Sequence, residues 1–128
     1  MNIRHFGIRT KKFKESMKFY KKLGFKVVYN KTEDWNGIDD FIGKIKVVKM
    51  ELNGTIFELT ETYECESDPF WTHDLYYACH MAIGVDDIEK ILTKLKKDIE
   101  FVLSPDKSVR VAFIEDPNGL EIELVEKI

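Results

Sequence analysis

One phrase occurs twice in this chain and constrains its fold more than any other feature. Asn53-Gly54-Thr55-Ile56-Phe57-Glu58-Leu59-Thr60-Glu61 is echoed by Asn118-Gly119-Leu120-Glu121-Ile122-Glu123-Leu124-Val125-Glu126, with Asn, Gly, Glu, Leu and Glu at the same offsets. A phrase repeated in this way marks one supersecondary unit written twice. The chain has 128 residues, of which 44% are hydrophobic. That is enough for one compact core and too little for two ordinary independent domains. The expectation is a single domain over residues 1–128 made of two modules, 1–62 and 76–128.

Periodicity gives each module the same element order. Ile3 to Ile8 reads as a strand, and Phe13, Met17, Tyr20 and Leu23 then recur at helical spacing among lysines, with Gly24 as the stop. Phe25 to Tyr29 reads as a second strand, followed by a polar loop holding Glu33, Asp34, Trp35, Asn36 and Gly37. Ile45 to Leu52 and the strand bearing Glu58 are joined at Asn53-Gly54, a tight hairpin signal. The irregular segment Thr62 to Leu75 reads as a linker. After it, Tyr77 to Val85 is a strand, and Asp86 or Asp87 can cap a helix with an Ile88, Ile91, Leu92 and Leu95 stripe. Short strands near Ile99–Leu103 and Val109–Glu115 follow. The turn Asp116-Pro117-Asn118-Gly119 launches the last strand. Both modules therefore read β-α-β-β-β, an α+β fold.

Charge and cysteine usage exclude several functions. The net charge is −3, the pI is about 5.7, and Lys and Glu are dispersed, which argues against a nucleic-acid partner. No apolar run approaches the roughly 20 residues needed to span a bilayer, so no membrane partner is expected. Met1-Asn2-Ile3-Arg4-His5 lacks a signal-peptide core, and the expectation is a cytoplasmic protein. Cys65 and Cys79 fit neither a zinc knuckle nor a CxxC pair and read as free thiols.

Side-chain parity then isolates a chemical constellation. Along the strand Thr55 to Thr60, Ile56, Glu58 and Thr60 share one face while Phe57 and Leu59 share the other. Glu121, Glu123 and Val125 likewise oppose Ile122 and Leu124. Each module opens on a histidine, His5 or His80, which shares its strand face with small residues: Gly7 in the first, Ala82 and Gly84 in the second. A carboxylate that shares a confined face with a second carboxylate is costly unless a cation or proton intervenes. Two His and two Glu, one pair per module, are the donor set of a divalent-metal site. Trp35, Phe70 and Trp71 fall in predicted loops, where they can wall a pocket mouth or cover a subunit interface. His73 has no counterpart in the other module. Lys107 and Arg110 read as solvated charge.

The phrases His5-Phe6-Gly7-Ile8, Ser16-Met17-Lys18-Phe19-Tyr20-Lys21-Lys22-Leu23-Gly24-Phe25, Phe57-Glu58-Leu59, His80-Met81-Ala82-Ile83-Gly84-Val85-Asp86-Asp87-Ile88 and Phe113-Ile114-Glu115-Asp116-Pro117-Asn118-Gly119-Leu120-Glu121-Ile122-Glu123-Leu124 resemble the vicinal oxygen chelate superfamily. That superfamily includes glyoxalase I, methylmalonyl-CoA epimerase, extradiol dioxygenases and the fosfomycin and bleomycin resistance proteins. The resemblance implies two βαβββ modules whose sheets form a cupped half-barrel, and metal ligands at His5, Glu58, His80 and Glu123. Its closest match in ligand set is glyoxalase I. It also implies a homodimer and a substrate-contacting role for Arg9; Trp35 and Trp71 are candidate substrate-binding residues by their place in the predicted loops. The pattern departs at Thr62, where glyoxalase I usually carries Asn, and the acidic run Glu61, Glu64, Glu66 is a poor neighbour for anionic glutathione.

A six-coordinate ion held by two His and two Glu keeps two positions for the vicinal oxygens of a substrate, and it stabilises the enediolate left when an adjacent C–H loses its proton. Nickel, cobalt, manganese, iron and zinc all accept these donors. By resemblance, Glu123 is the first choice for the proton-abstracting base and Glu58 the second. The expected activity is that of a metal-dependent lyase or isomerase on a small molecule. The alternatives are a sequestering protein of bleomycin-resistance type and an epimerase of a CoA thioester.

Overall fold

Two four-stranded sheets organise the computed structural model, which describes residues 1–38, 41–63 and 80–128. The chain divides into two compact units, Met1–Thr72 and His73–Ile128. The first contains β1 (Phe6–Arg9), α1 (Phe13–Lys22), β2 (Lys26–Ile38), β3 (Phe41–Leu52) and β4 (Thr55–Tyr63), in the sheet order β1-β4-β3-β2. The second contains β5 (His80–Val85), α2 (Ile88–Lys94), β6 (Val102–Leu103), β7 (Val109–Glu115) and β8 (Glu121–Lys127), in the order β5-β8-β7-β6. Each unit is thus a βαβββ module with one parallel pair, β1 with β4 or β5 with β8, and otherwise antiparallel pairing. The fold is α+β, as the periodicity predicts. No helix among the described residues is long and apolar enough to cross a membrane.

In the first unit the expected parity holds. Phe57 and Leu59 on β4 are buried, as are Val48 and Met50 on β3, while α1 adds Phe13, Phe19 and Tyr20. Tyr20 is fully buried and packs its ring on Phe19, Phe25 and Phe57 with centroids 5.2, 5.5 and 4.7 Å away. Such tilted and edge-on contacts suit the ring quadrupole. Met17, placed in the buried stripe by spacing, is only half-buried; Ser16 takes the interior position and bonds Thr10 Oγ1 across 3.2 Å. In the second unit Ile88 and Leu92 of α2 bury their side chains, as do Ala112 and Ile114 of β7 and Ile122 and Leu124 of β8.

The helix ends follow one geometry with different residues. After α1, Phe25 N–H bonds the Tyr20 carbonyl and Gly24 N–H bonds the Lys21 carbonyl, with Gly24 at φ +105°. After α2 the same pair of bonds runs from Lys97 to Leu92 and from Lys96 to Thr93, but Lys96 holds the left-handed position at φ +54°. This second cap carries no glycine signal in the sequence. Asp87 is the N-cap of α2, accepting from Lys90 N–H at 3.0 Å.

The two Asn-Gly phrases form different turns. Asn53 and Gly54 have φ +48° and +87°, the two-residue hairpin in which both positions are left-handed, and Leu52 pairs directly with Thr55. In the second module the connection is longer, and Glu115 pairs with Glu121. There the buried Asp116 accepts from the N–H groups of Asn118 and Leu120 at 2.8 and 2.9 Å, organising the loop from within.

The polar loop expected after Tyr29 is instead strand. β2 continues through Glu33, Asp34, Trp35, Asn36 and Gly37 to Ile38, paired with β3 from Lys26↔Glu51 to Ile38↔Phe41. The long ladder outweighs the low strand propensity of Asp, Asn and Gly, which is a weak preference. Trp35 therefore lies on a strand. β1 starts at Phe6, with His5 immediately before it, and β6 is confined to Val102–Leu103. Residues 77–79, Phe70, Trp71, His73, Cys65 and Cys79 lie outside the described residues.

One carboxylate fastens α2 to its sheet. Glu126 on β8 accepts from Ile88 N–H at 2.9 Å and from the Arg110 guanidinium, which also lies 4.6 Å from the Phe101 ring centroid. Arg110, expected to be solvated charge, is thus a structural clamp. The Ile88 amide and Arg110 together hold the Glu126 carboxyl below its ordinary range. A carboxyl depressed in the folded state stabilises the fold above its unfolded-state value, and that contribution is lost as pH falls through the lowered one. We predict that the melting temperature of Glu126→Gln lies below that of the parent at neutral pH. The gap should close on acidification past the ordinary glutamate range, measured by thermal denaturation across pH.

Candidate metal centre

Parallel pairing of the outer and inner strands sets a histidine beside a glutamate in each module. In the first, Gly7 of β1 is in register with Glu58 of β4; in the second, Ala82 of β5 is in register with Glu123 of β8. The histidines stand two residues before those small residues, His5 before Gly7 and His80 before Ala82. His5 Nε2 lies 3.5 Å from Glu58 Oε2, and His80 Nε2 lies 3.4 Å from Glu123 Oε2. The duplicated module thus yields the same pair twice, built from the same strand positions.

Gly7 lies close against the glutamate. A Cβ added there would stand 3.5 Å from Glu58 Cβ and 3.6 Å from Glu58 Oε1, ordinary van der Waals contact. The glutamates are the more enclosed partners, with side-chain exposures of 18% for Glu58 and 24% for Glu123 against 37% and 55% for His5 and His80. Each pair is therefore rooted at the carboxylate and open at the imidazole.

These donors suit a divalent ion. Bonds of about 2.0–2.2 Å from imidazole nitrogen and carboxylate oxygen place neighbouring donor atoms about 3.0–3.4 Å apart. The His80–Glu123 separation of 3.4 Å stands at the upper end of that range and the His5–Glu58 separation of 3.5 Å just beyond it. Among the described residues, neither unit by itself brings together three or more side chains able to hold a metal. Each module contributes one histidine and one glutamate.

Around the first pair the sheet adds residues that spacing did not single out. Lys49 of β3 is in register with Glu58, and Tyr29 of β2 is in register with Lys49, so the three share one face. The Tyr29 hydroxyl donates to Glu33, and its ring packs on the buried Ile45 and Val47. That hydrogen bond, with burial and the negative charges of Glu33 and Glu58, raises the Tyr29 hydroxyl above its ordinary range. The signal for Lys49 was present in the sequence: a two-residue turn at Asn53-Gly54 fixes Lys49 opposite Glu58 by counting back from Leu52 and Thr55. Tyr29 was hidden by an irregularity in the β2–β3 register between Val27 and Tyr29.

Of the other expected site residues, Arg9 is half-buried on β1, two residues beyond Gly7 and in register with Thr60. Trp35 has its backbone on β2, in register with Gly43. Trp71 falls outside the described residues.

Comparison with known proteins gives the family and the fold. The family model of the Glyoxalase/Bleomycin resistance protein/Dioxygenase superfamily matches residues 2–124. A lactoylglutathione lyase of Neisseria meningitidis serogroup A is 27% identical over 135 residues, an alignment covering 99% of this chain and 91% of that protein. A glyoxalase family protein from Bacillus cereus has the same fold, with a TM-score of 0.80 at 17% identity over 100% of this chain and 95% of that one. The trypanothione-dependent glyoxalase I of Leishmania major gives a TM-score of 0.62 at 26% identity, covering 98% of this chain and 86% of its own.

Proposed function

The chain belongs to the glyoxalase/bleomycin resistance protein/dioxygenase superfamily, and from that premise we propose that it is a metal-dependent lyase or isomerase of glyoxalase I type. It would act by abstracting a proton next to two vicinal oxygens of a small-molecule substrate. The observation that carries this reading is the duplicated His–Glu pair, at 3.5 and 3.4 Å, on equivalent strand positions of both modules. A purely structural repeat has no reason to keep a half-exposed imidazole against a partly enclosed carboxylate in both copies. The lactoylglutathione lyase relatives support the same reaction class.

In this proposal His5, Glu58, His80 and Glu123 hold one divalent ion, with one module of the site drawn from the same chain or from a second copy in a homodimer. When bound, the ion supplies Lewis-acid stabilisation of the negative charge that develops on the substrate oxygens. The chain's own residues do the rest. The two imidazoles, each anchored beside its glutamate, fix two adjacent donor positions. One carboxylate accepts the substrate proton and returns it to the neighbouring carbon, which completes an isomerisation with no net change in protonation. Glu123 is the first choice for that base, since its side chain is the more exposed of the two glutamates, and Glu58 the second. In this proposal Arg9, on the same strand as Gly7, would meet the remainder of the substrate.

Two experiments test this. Metal stoichiometry is expected to be one ion per four-donor site in the parent protein and to fall sharply in His80→Ala; unchanged occupancy in the variant would remove the ligand assignment. Glu123→Gln is expected to keep the fold and bind substrate within about tenfold of the parent, yet lose about 10²–10⁴-fold in turnover, the range usual for a general base. Solvent deuterium exchange next to the carbonyl of methylglyoxal hemithioacetals reads the proton transfer directly. Tight binding without exchange on any thiol adduct or thioester would favour a sequestering protein instead, and equal exchange by Glu123→Gln would move the base to Glu58.

A further inference from the structure

The two modules are alike in their His–Glu pairs and differ in the residue next to each glutamate. Antiparallel register puts Lys49 opposite Glu58 in the first module and Phe113 opposite Glu123 in the second. Directly opposed residues on one face carry their Cβ atoms about 4.5–5.5 Å apart. Each of these side chains therefore stands beside its pair, one strand further into the sheet. The second module serves as an internal control. It builds the same sheet and the same pair with an apolar ring at that position, so the architecture does not require a cation beside the glutamate.

Among the described residues, Lys49 is also not consumed by a salt bridge. Its ammonium lies 5.0 Å from the centroid of the Tyr29 ring and makes no ion pair with a described carboxylate, although Glu58 is in register with it. The Tyr29 ring is held by its hydroxyl bond to Glu33 and by packing on Ile45 and Val47. A cation resting on an aromatic face keeps its full charge, because the ring quadrupole attracts without neutralising it. The result is a half-buried, pre-positioned ammonium on the same sheet face as a candidate metal ligand.

We propose that Lys49, seated on the Tyr29 ring beside the His5–Glu58 pair, is a specificity residue that recognises a single anionic group, a carboxylate, on a substrate whose vicinal oxygens occupy the metal centre. The proposal rests on the metal-site reading above and adds the class of substrate. A monoanion fits better than a dianion, because Glu58 and Glu33 on the same face offset the two ammonium groups that flank the Tyr29 ring, Lys49 and Lys31, the latter 5.4 Å from its centroid. One point charge on a flexible stem suits a carboxylate that arrives on a chain of variable length.

The test uses the full chain reconstituted with Co²⁺ and two chelators that present the same pair of vicinal oxygens: acetohydroxamate, which lacks a carboxylate, and succinohydroxamate, which carries one at its far end. Affinities are measured by calorimetry. The parent is expected to prefer succinohydroxamate by about fivefold or more, a preference that weakens with added salt. Lys49→Met should abolish the preference and Lys49→Arg should retain it, with circular dichroism confirming that both variants fold. Equal affinity for the two chelators in the parent, or an unchanged preference in Lys49→Met, would overturn the role of Lys49 while acetohydroxamate binding left the metal site standing. If the Co²⁺-treated parent bound neither chelator, the metal-site reading would fail and this inference with it.

Discussion

Parallel pairing of the first and last strand of each module is the constraint on which the rest of this structure depends. Strands running in the same direction cannot be joined by a tight turn, so a long connection, here a helix and two further strands, carries the chain back beside its own beginning. That detour brings Glu58 next to Gly7 and Glu123 next to Ala82, and with them the histidines two residues upstream. The helices serve this pairing. α1 covers Phe57 and Leu59 through its aromatic face, and α2 is fastened by Glu126 and Arg110. A change that loosened either parallel pair would separate an imidazole from its carboxylate without touching either residue.

Much of this could be read from residue order. The repeated Asn-Gly phrase fixed the modular plan, strand parity separated Glu58 from Phe57 and Leu59, and the helical spacing of Phe13 and Tyr20 marked the buried side of α1. What escaped had local physical causes. The residues from Lys31 to Ile38 look like a loop because Asp, Asn and Gly are poor strand formers, yet a continuous hairpin ladder satisfies their backbone groups and holds them extended. Met17 and Ser16 exchange expected roles because a serine hydroxyl can be buried when Thr10 bonds it. Lys96 takes the position that glycine holds after α1, so the second helix end left no trace in composition. Arg110 read as solvent charge because its partner Glu126 is distant in sequence and adjacent only across the β7–β8 ladder.

The candidate centre was legible in kind and incomplete in detail. Its four proposed donors were suggested by the repeated phrase, which carries Glu58 and Glu123, and by the histidine that opens each module, His5 or His80. Lys49 and Tyr29 required the strand register, which only a turn type and an irregular pairing could supply. Duplication gives the modules a common frame, and the departures from symmetry are where specificity can reside: Lys49 against Phe113 beside the glutamates, and a 12-residue β3 against a 7-residue β7. A fold shared by enzymes and sequestering proteins is differentiated at such positions, since the scaffold itself carries no reaction.

The central claim is that the two half-sites, one His–Glu pair from each module, converge on one ion. X-ray absorption spectroscopy of the metal-reconstituted protein tests it most directly, because multiple scattering from imidazole rings counts the histidines bound to the metal. Two imidazoles per ion within an otherwise oxygen-donor shell is the predicted result. A shell with one imidazole or none would contradict the account, for it would show that the pairs at His5 and His80 do not act together.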